Sequence, residues 1–149
     1  MLDSKLIAAR WYVGELSGED MPAIACQALE EGQDGKNLRY LAGLSSPARR
    51  DILETVDGAL RELGVQAPAT PHDAAIWMAR RLADDIVAGR IEPYGGACRI
   101  WLSYSSEAPE LKHWSDMVIN YEVEEEIGNV EKAKLQIQQA ARNLLSTAK

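Results

Sequence analysis

Apolar residues recur at helical spacing along nearly the whole of the 149-residue chain. The clearest stripe is Ile52, Leu53, Val56, Ala59, Leu60 and Leu63, where steps of one, three and four residues keep the side chains on one helix face. Ser46-Pro47 reads as the start of this helix, because proline's missing N–H and fixed φ suit a first turn, and Gly64 reads as its stop. The same spacing predicts a terminal helix from Asn129, its N-cap, with Val130, Ala133, Ile137, Ala140, Ala141, Leu144 and Leu145 inward. Shorter helices are predicted over Ser4–Leu16, Asp20–Glu31 and Lys36–Ala42, with Gly18 and Gly32 as punctuation. A long one covers His72–Ala88, with Ile76, Ala79, Ala83, Ile86 and Val87 buried and Thr70 as cap ahead of Pro71. A further helix over Pro109–Ile127 carries Trp114, Met117, Val118 and Tyr121 as its stripe. No segment alternates as a strand over a useful length.

These elements predict an all-α, single-domain bundle of about seven helices in two antiparallel subassemblies, residues 1–64 and 71–149. Residues 65–70, within "VQAPATP", join the two as a linker or hinge, since two prolines without apolar periodicity make a connection. Halves of about seventy residues are small for independent cores, so the expectation is one shared interior. The chain has no phenylalanine, which leaves four Trp and five Tyr to supply the aromatic volume.

"IVAGRIEPYGGACRIW", Ile86–Trp101, looks at first like a ligand-cradling loop. A phosphate loop needs Gly-Lys-Ser/Thr at its end, and a dinucleotide fingerprint needs a preceding strand; neither is present. The stretch reads instead as a corner. Gly89 ends one helix in a left-handed conformation, Glu92-Pro93 begins the next, and Ala97, Ile100 and Trp101 bury together beside Cys98. Gly95-Gly96 inside a helix costs stability unless another backbone or side chain comes close, and the expected neighbour is a second helix. Val13–Leu29 has a related order of Gly-x-Leu, acid, proline and Ala-Cys, although its Ala-Cys lies three residues farther from the glycine. Duplication and chance both account for it.

"DDIVAGRIEPYGGACRIW" (Asp84–Trp101) resembles a helix-corner pattern of small bacterial helical proteins: an apolar helix, Gly-x-Ile, Pro-Tyr, Gly-Ala and a Trp. "ELSGEDMPAIACQALEEGQDGKNLRYLAGLSSP" (Glu15–Pro47) resembles another such module. Together they cover about a third of the chain. The resemblance implies a bacterial helical protein and carries neither an activity nor a catalytic residue.

The formal net charge of −7 argues against a nucleic-acid partner, which needs a clustered positive field. The N-terminus has no basic region followed by an apolar core as in a secretory signal, and no apolar run reaches membrane-spanning length, so a cytoplasmic location is expected. Cys26 and Cys98 have no CxxC partner and read as reduced thiols on apolar helix faces. His72 and His113 lack metal-ligand spacing, and no serine stands in a nucleophile elbow. Asp84 and Asp85 point about 100° apart on a helix and make no pair. No catalytic, cofactor or metal site is therefore assigned.

One asymmetry remains. Between Glu107 and Glu131 there are eight acids and a single base, Lys112, together with aromatic residues. The predicted partner-binding set is Tyr104, Trp114, Tyr121, Glu122, Glu124, Glu125 and Glu126, with acids steering a basic protein and rings anchoring it. The leading expectation is a non-enzymatic protein-binding module of immunity or adaptor type. A helix-lined pocket with Asp84, Asp85, Tyr94 and Cys98, serving a small-ligand binder or enzyme, is the second reading. A structural, self-associating protein is the third. An exposed acidic-aromatic face, a closed pocket with convergent polar groups, and an exposed apolar stripe would separate the three.

Overall fold

A computed structural model describes residues 1–66 and 70–147. The protein is all-α, with eight α-helices and no strand among the described residues. The chain divides into two compact units, residues 1–74 and 75–149. The connection expected at 65–70 falls in part on residues 67–69, which lie outside the described residues.

The first unit holds α1 (Ser4–Tyr12), α2 (Met21–Glu30), α3 (Lys36–Ala42) and α4 (Leu53–Glu62). Asp3 caps α1 by accepting the Leu6 N–H at 3.1 Å. The helix ends four residues before the expected Leu16, which is nevertheless buried. Ile7, Trp11, Met21, Ala25, Leu38, Leu41, Val56 and Leu60 form the core. α2 packs on α3, and α3 on α4.

The helix expected from Pro47 begins only at Leu53, and residues Arg49–Asp51 form a 3-10 turn. The cause is tertiary. The Arg49 guanidinium lies 3.7 Å from the centre of the Trp11 ring and donates to the carbonyls of Trp11 at 2.6 Å and Leu16 at 2.9 Å. Those carbonyls sit at and beyond the end of α1, where backbone acceptors lack helical partners and favour a cation. Holding Arg49 there draws the segment out of helical register. Leu53, read as part of the buried stripe, is exposed.

A second polar link joins α4 to α3. Glu62 accepts the backbone N–H groups of Asn37 at 3.1 Å and Leu38 at 3.0 Å, and the Asn37 side-chain amide at 2.8 Å. It thereby caps the start of α3 from another helix. Burial acts to raise the Glu62 pKa, but the donors from Asn37 and Leu38 outweigh it and hold the carboxyl below its usual range.

The second unit contains nearly all of α5 (Pro71–Val87), then α6 (Pro93–Arg99), α7 (Trp114–Glu126) and α8 (Val130–Ser146). Thr70 caps α5 by accepting the Asp73 N–H at 3.0 Å. Gly89 ends it at φ +76°, with Arg90 N–H bonded back to Asp85 C=O at 2.9 Å, as in a Schellman cap. α6 then opens on Pro93. A Cβ at Gly96 would stand 2.7 Å from the Ile86 side chain, so this glycine admits α5 against α6. The glycine-rich stretch is thus a helix corner. Ala97 and Ile100 are fully buried and Trp101 partly so.

α6 continues into a wider π-helical segment, Ile100–Tyr104, and Pro109–Leu111 is a separate 3-10 turn. The helix expected from Pro109 therefore starts at Trp114. Ala108 and Leu111 bury as the chain turns, which breaks the register between Pro109 and Trp114. α7 and α8 pack together across the short turn at Gly128-Asn129, a length that makes them antiparallel neighbours. Asn129 occupies the cap position of α8 without a side-chain cap hydrogen bond, contrary to its expected role.

Gly89→Ala is expected to lower stability by about 1 kcal/mol or more, because a Cβ at positive φ is strained even though space is open around it. Urea unfolding with an unchanged midpoint would refute this. Glu62 has a depressed folded pKa, so its contribution is present above the unfolded value near 4.5 and is lost as the pH falls through the lower folded one. Glu62→Gln should cost about 1 kcal/mol at neutral pH and flatten the acid limb of stability below pH 4.5, measured by urea titration at several pH values.

Candidate docking face on α7 and α8

The rotation of α7 sorts its residues. Trp114, Val118 and Tyr121, three or four apart, form the inward stripe, and Trp114 is 0% exposed. Tyr104, at the end of the π-helical segment, is buried as well. Tyr94 of α6 lies on Tyr121 in a stacked pair, ring centres 4.6 Å apart. Its hydroxyl donates to Glu122 Oε2 at 2.6 Å. That bond, followed by the Cys98 thiol beside it, holds the Tyr94 pKa well above the ordinary phenol value.

The expected acidic-aromatic surface is corrected by this sorting. Tyr104, Trp114 and Tyr121 are core residues, because aromatic area at the inward stripe is where α7 gains its burial. They cannot present rings to a partner. Glu125 and Glu126 are exposed. Glu122 is exposed but engaged by Tyr94, and Glu124 is half-buried with Oε2 shielded from solvent.

Apolar residues that the aromatic reading passed over occupy the outward face. Ile119 is 54% exposed, Val123 53% and Ile127, just past the helix end, 70%. Their four-residue spacing sets them in one line, and Asp116, Glu122 and Glu126 flank them in sequence. On α8, Leu135 is 63% exposed, between the exposed Lys132 and Arg142. Asn120 and Gln136 share a side-chain hydrogen bond at 2.5 Å across the two helices. The signal was present in the sequence as β-branched residues outside the Trp114–Tyr121 stripe.

The pocket residues of the second reading do not converge. Asp84 and Asp85 share one partner, Arg90, whose guanidinium bonds Asp84 Oδ2 and lies 2.7 Å from Asp85 Oδ1. Adjacent carboxylates on different helix faces are thus joined by a cation beyond the helix end, which spacing alone does not reveal. Bonds to Asp85 and then Asp84 raise the Arg90 pKa. This cluster borders an open cleft of about 500 Å³ with Trp77, Arg80, Arg81 and Leu145. Arg80 donates to the carbonyls of Leu145 at 2.9 Å and Thr147 at 3.1 Å, and Arg81 lies over Trp77. Tyr94 and Cys98 stand apart from it, against α7 and beside one another. Among the described residues, no three of His, Cys, Asp and Glu are grouped to hold a metal ion, and no helix is long and apolar enough to cross a membrane.

Compared with protein-family models, with curated proteins and with solved structures, the chain finds no match.

The Tyr94 bond carries a test of this geometry. A raised folded phenol pKa contributes stability that is complete below the unfolded value near 10 and is lost as the pH rises through the folded one. Tyr94→Phe keeps the ring stack and removes the bond. It should lower the urea-unfolding midpoint at pH 7 and lower it less above about pH 10. An equal deficit at both would refute the role of the bond.

Proposed function

We propose that the chain is a cytoplasmic, non-enzymatic protein-binding module of bacterial adaptor or immunity type. Its partner is a basic protein surface, not a nucleic acid or a membrane. The outward face of α7 is the contact. The observation that supports this is the line Ile119, Val123 and Ile127, exposed along a helix that carries acids and no base. Isolated exposed apolar residues are ordinary, but three in register on one helix form a patch that a partner can bury. The surrounding carboxylates favour a cationic partner and repel acidic ones. The aliphatic line takes the anchoring role assigned from sequence to Trp114 and Tyr121.

The small-ligand reading rests on the cleft beside Trp77. Its charged groups are directed at other protein groups: Arg80 at the end of α8, Arg81 at Trp77, and Arg90 at the two aspartates. That arrangement favours a structural role for them and leaves the α7 face as the better-supported site.

The immobilised chain, exposed to lysate of its host, should retain a protein with a basic surface, and that binding should weaken with salt. Against the recovered partner, Glu125→Lys with Glu126→Lys should slow association roughly tenfold at low ionic strength and alter dissociation little, because rim charges act by long-range attraction. Val123→Ala should instead speed dissociation. Equal, salt-independent association of variant and parent would defeat the proposal.

A further inference from the structure

We propose that the basic surface covering α7 is the α8 of a second copy of this chain, an inference that rests on the reading of α7 as a docking face. The two neighbouring helices carry opposite charge. α7 has Asp116, Glu122, Glu124, Glu125 and Glu126 and no base, whereas α8 has Lys132, Lys134 and Arg142 against Glu131 alone. Each also bears exposed aliphatic side chains, Ile119 and Val123 on one and Leu135 on the other. An acidic-apolar helix beside a basic-apolar helix is self-complementary, which is what a two-fold interface requires.

The charges also select the arrangement. A two-fold axis running along the helices, between α7 and α8, places α7 of each copy over α8 of the other, antiparallel, and makes the attraction twice. An axis across the helices would lay α7 on α7 and set the acids against each other. The first forms a four-helix contact in which Val123 and Leu135 of opposite copies approach, with Glu126 and Lys132 beside them on their own helices. Its small apolar centre makes a dimer with a dissociation constant on the order of micromolar rather than nanomolar.

Sedimentation equilibrium of the full chain, from about 1 µM to 1 mM, tests this directly. The expected result is a monomer–dimer equilibrium that shifts to monomer with added salt. Glu125→Lys with Glu126→Lys, or Lys132→Glu with Arg142→Glu, should each weaken dimerisation at least tenfold while the helical circular dichroism is retained. All four substitutions together leave both helices net negative, so that variant should stay monomeric. If the four-fold variant instead dimerises more tightly than the parent chain, α7 lies on α7 and the proposed arrangement is overturned. A parent chain monomeric at every concentration overturns the second-copy inference. A Leu/Lys amphipathic helical peptide then separates the two readings. Salt-sensitive binding lost in the Glu125→Lys, Glu126→Lys variant leaves the α7 docking face standing, and absence of binding removes both.

Discussion

The angle at which α7 is rotated about its own axis decides what the second unit shows to solvent. Trp114, Val118 and Tyr121 set that angle by burying together, and Tyr94, stacked on Tyr121 and bonded to Glu122, holds it from α6. The stack of Tyr94 on Tyr121 and the bond to Glu122 add to the burial of Trp114, Val118 and Tyr121 and favour this rotation over one that buries Ile119, Val123 and Ile127. Ile119, Val123 and Ile127 are consequently left on the outside. The candidate face is thus a by-product of the core's demand for aromatic volume in a chain without phenylalanine.

Placement of α6 follows from contact at a glycine. The side chain of Ile86 occupies space that a Cβ at Gly96 would need, so α6 lies close to the end of α5, and Tyr94, two residues earlier, is carried to α7. The glycine-rich corner acts on the candidate face at one remove. It brings no ligand-binding backbone of its own, and its contribution is the position of Tyr94 and hence of Glu122.

Polar groups in both units work chiefly at helix ends. Arg49 answers carbonyls at the end of α1, Glu62 answers the first N–H groups of α3, and Arg80 answers carbonyls at the end of α8. Arg90 joins two aspartates beyond the end of α5. Charges used this way are positioned for structure, which distinguishes them from Glu125 and Glu126, exposed along α7 and free to act through their field. The contrast is why the α7 face, and not the cleft beside Trp77, carries the functional proposal.

Helix content, the caps at Thr70 and Gly89, the corner at Pro93 and the inward stripes of α7 and α8 were legible from the sequence, as was that of α5 except for Val87, which is exposed, because they depend on spacing and on backbone preferences local to a few residues. Three things were not. The delay of α4 to Leu53 depends on Arg49 reaching Trp11, and the union of Asp84 with Asp85 depends on a guanidinium from beyond the helix; both are contacts between side chains that local periodicity does not encode. The candidate site is the third. Sequence placed acids and rings in one segment and read them as one surface, but helix rotation separates residues one or two positions apart onto different faces, and the direction of that rotation is chosen by packing. The sequence by itself determined that a charged, acidic helix would stand near Glu107–Glu131. Only the tertiary structure decided that its rings would be interior and its aliphatic residues exposed, because burial is settled by which neighbours a helix meets.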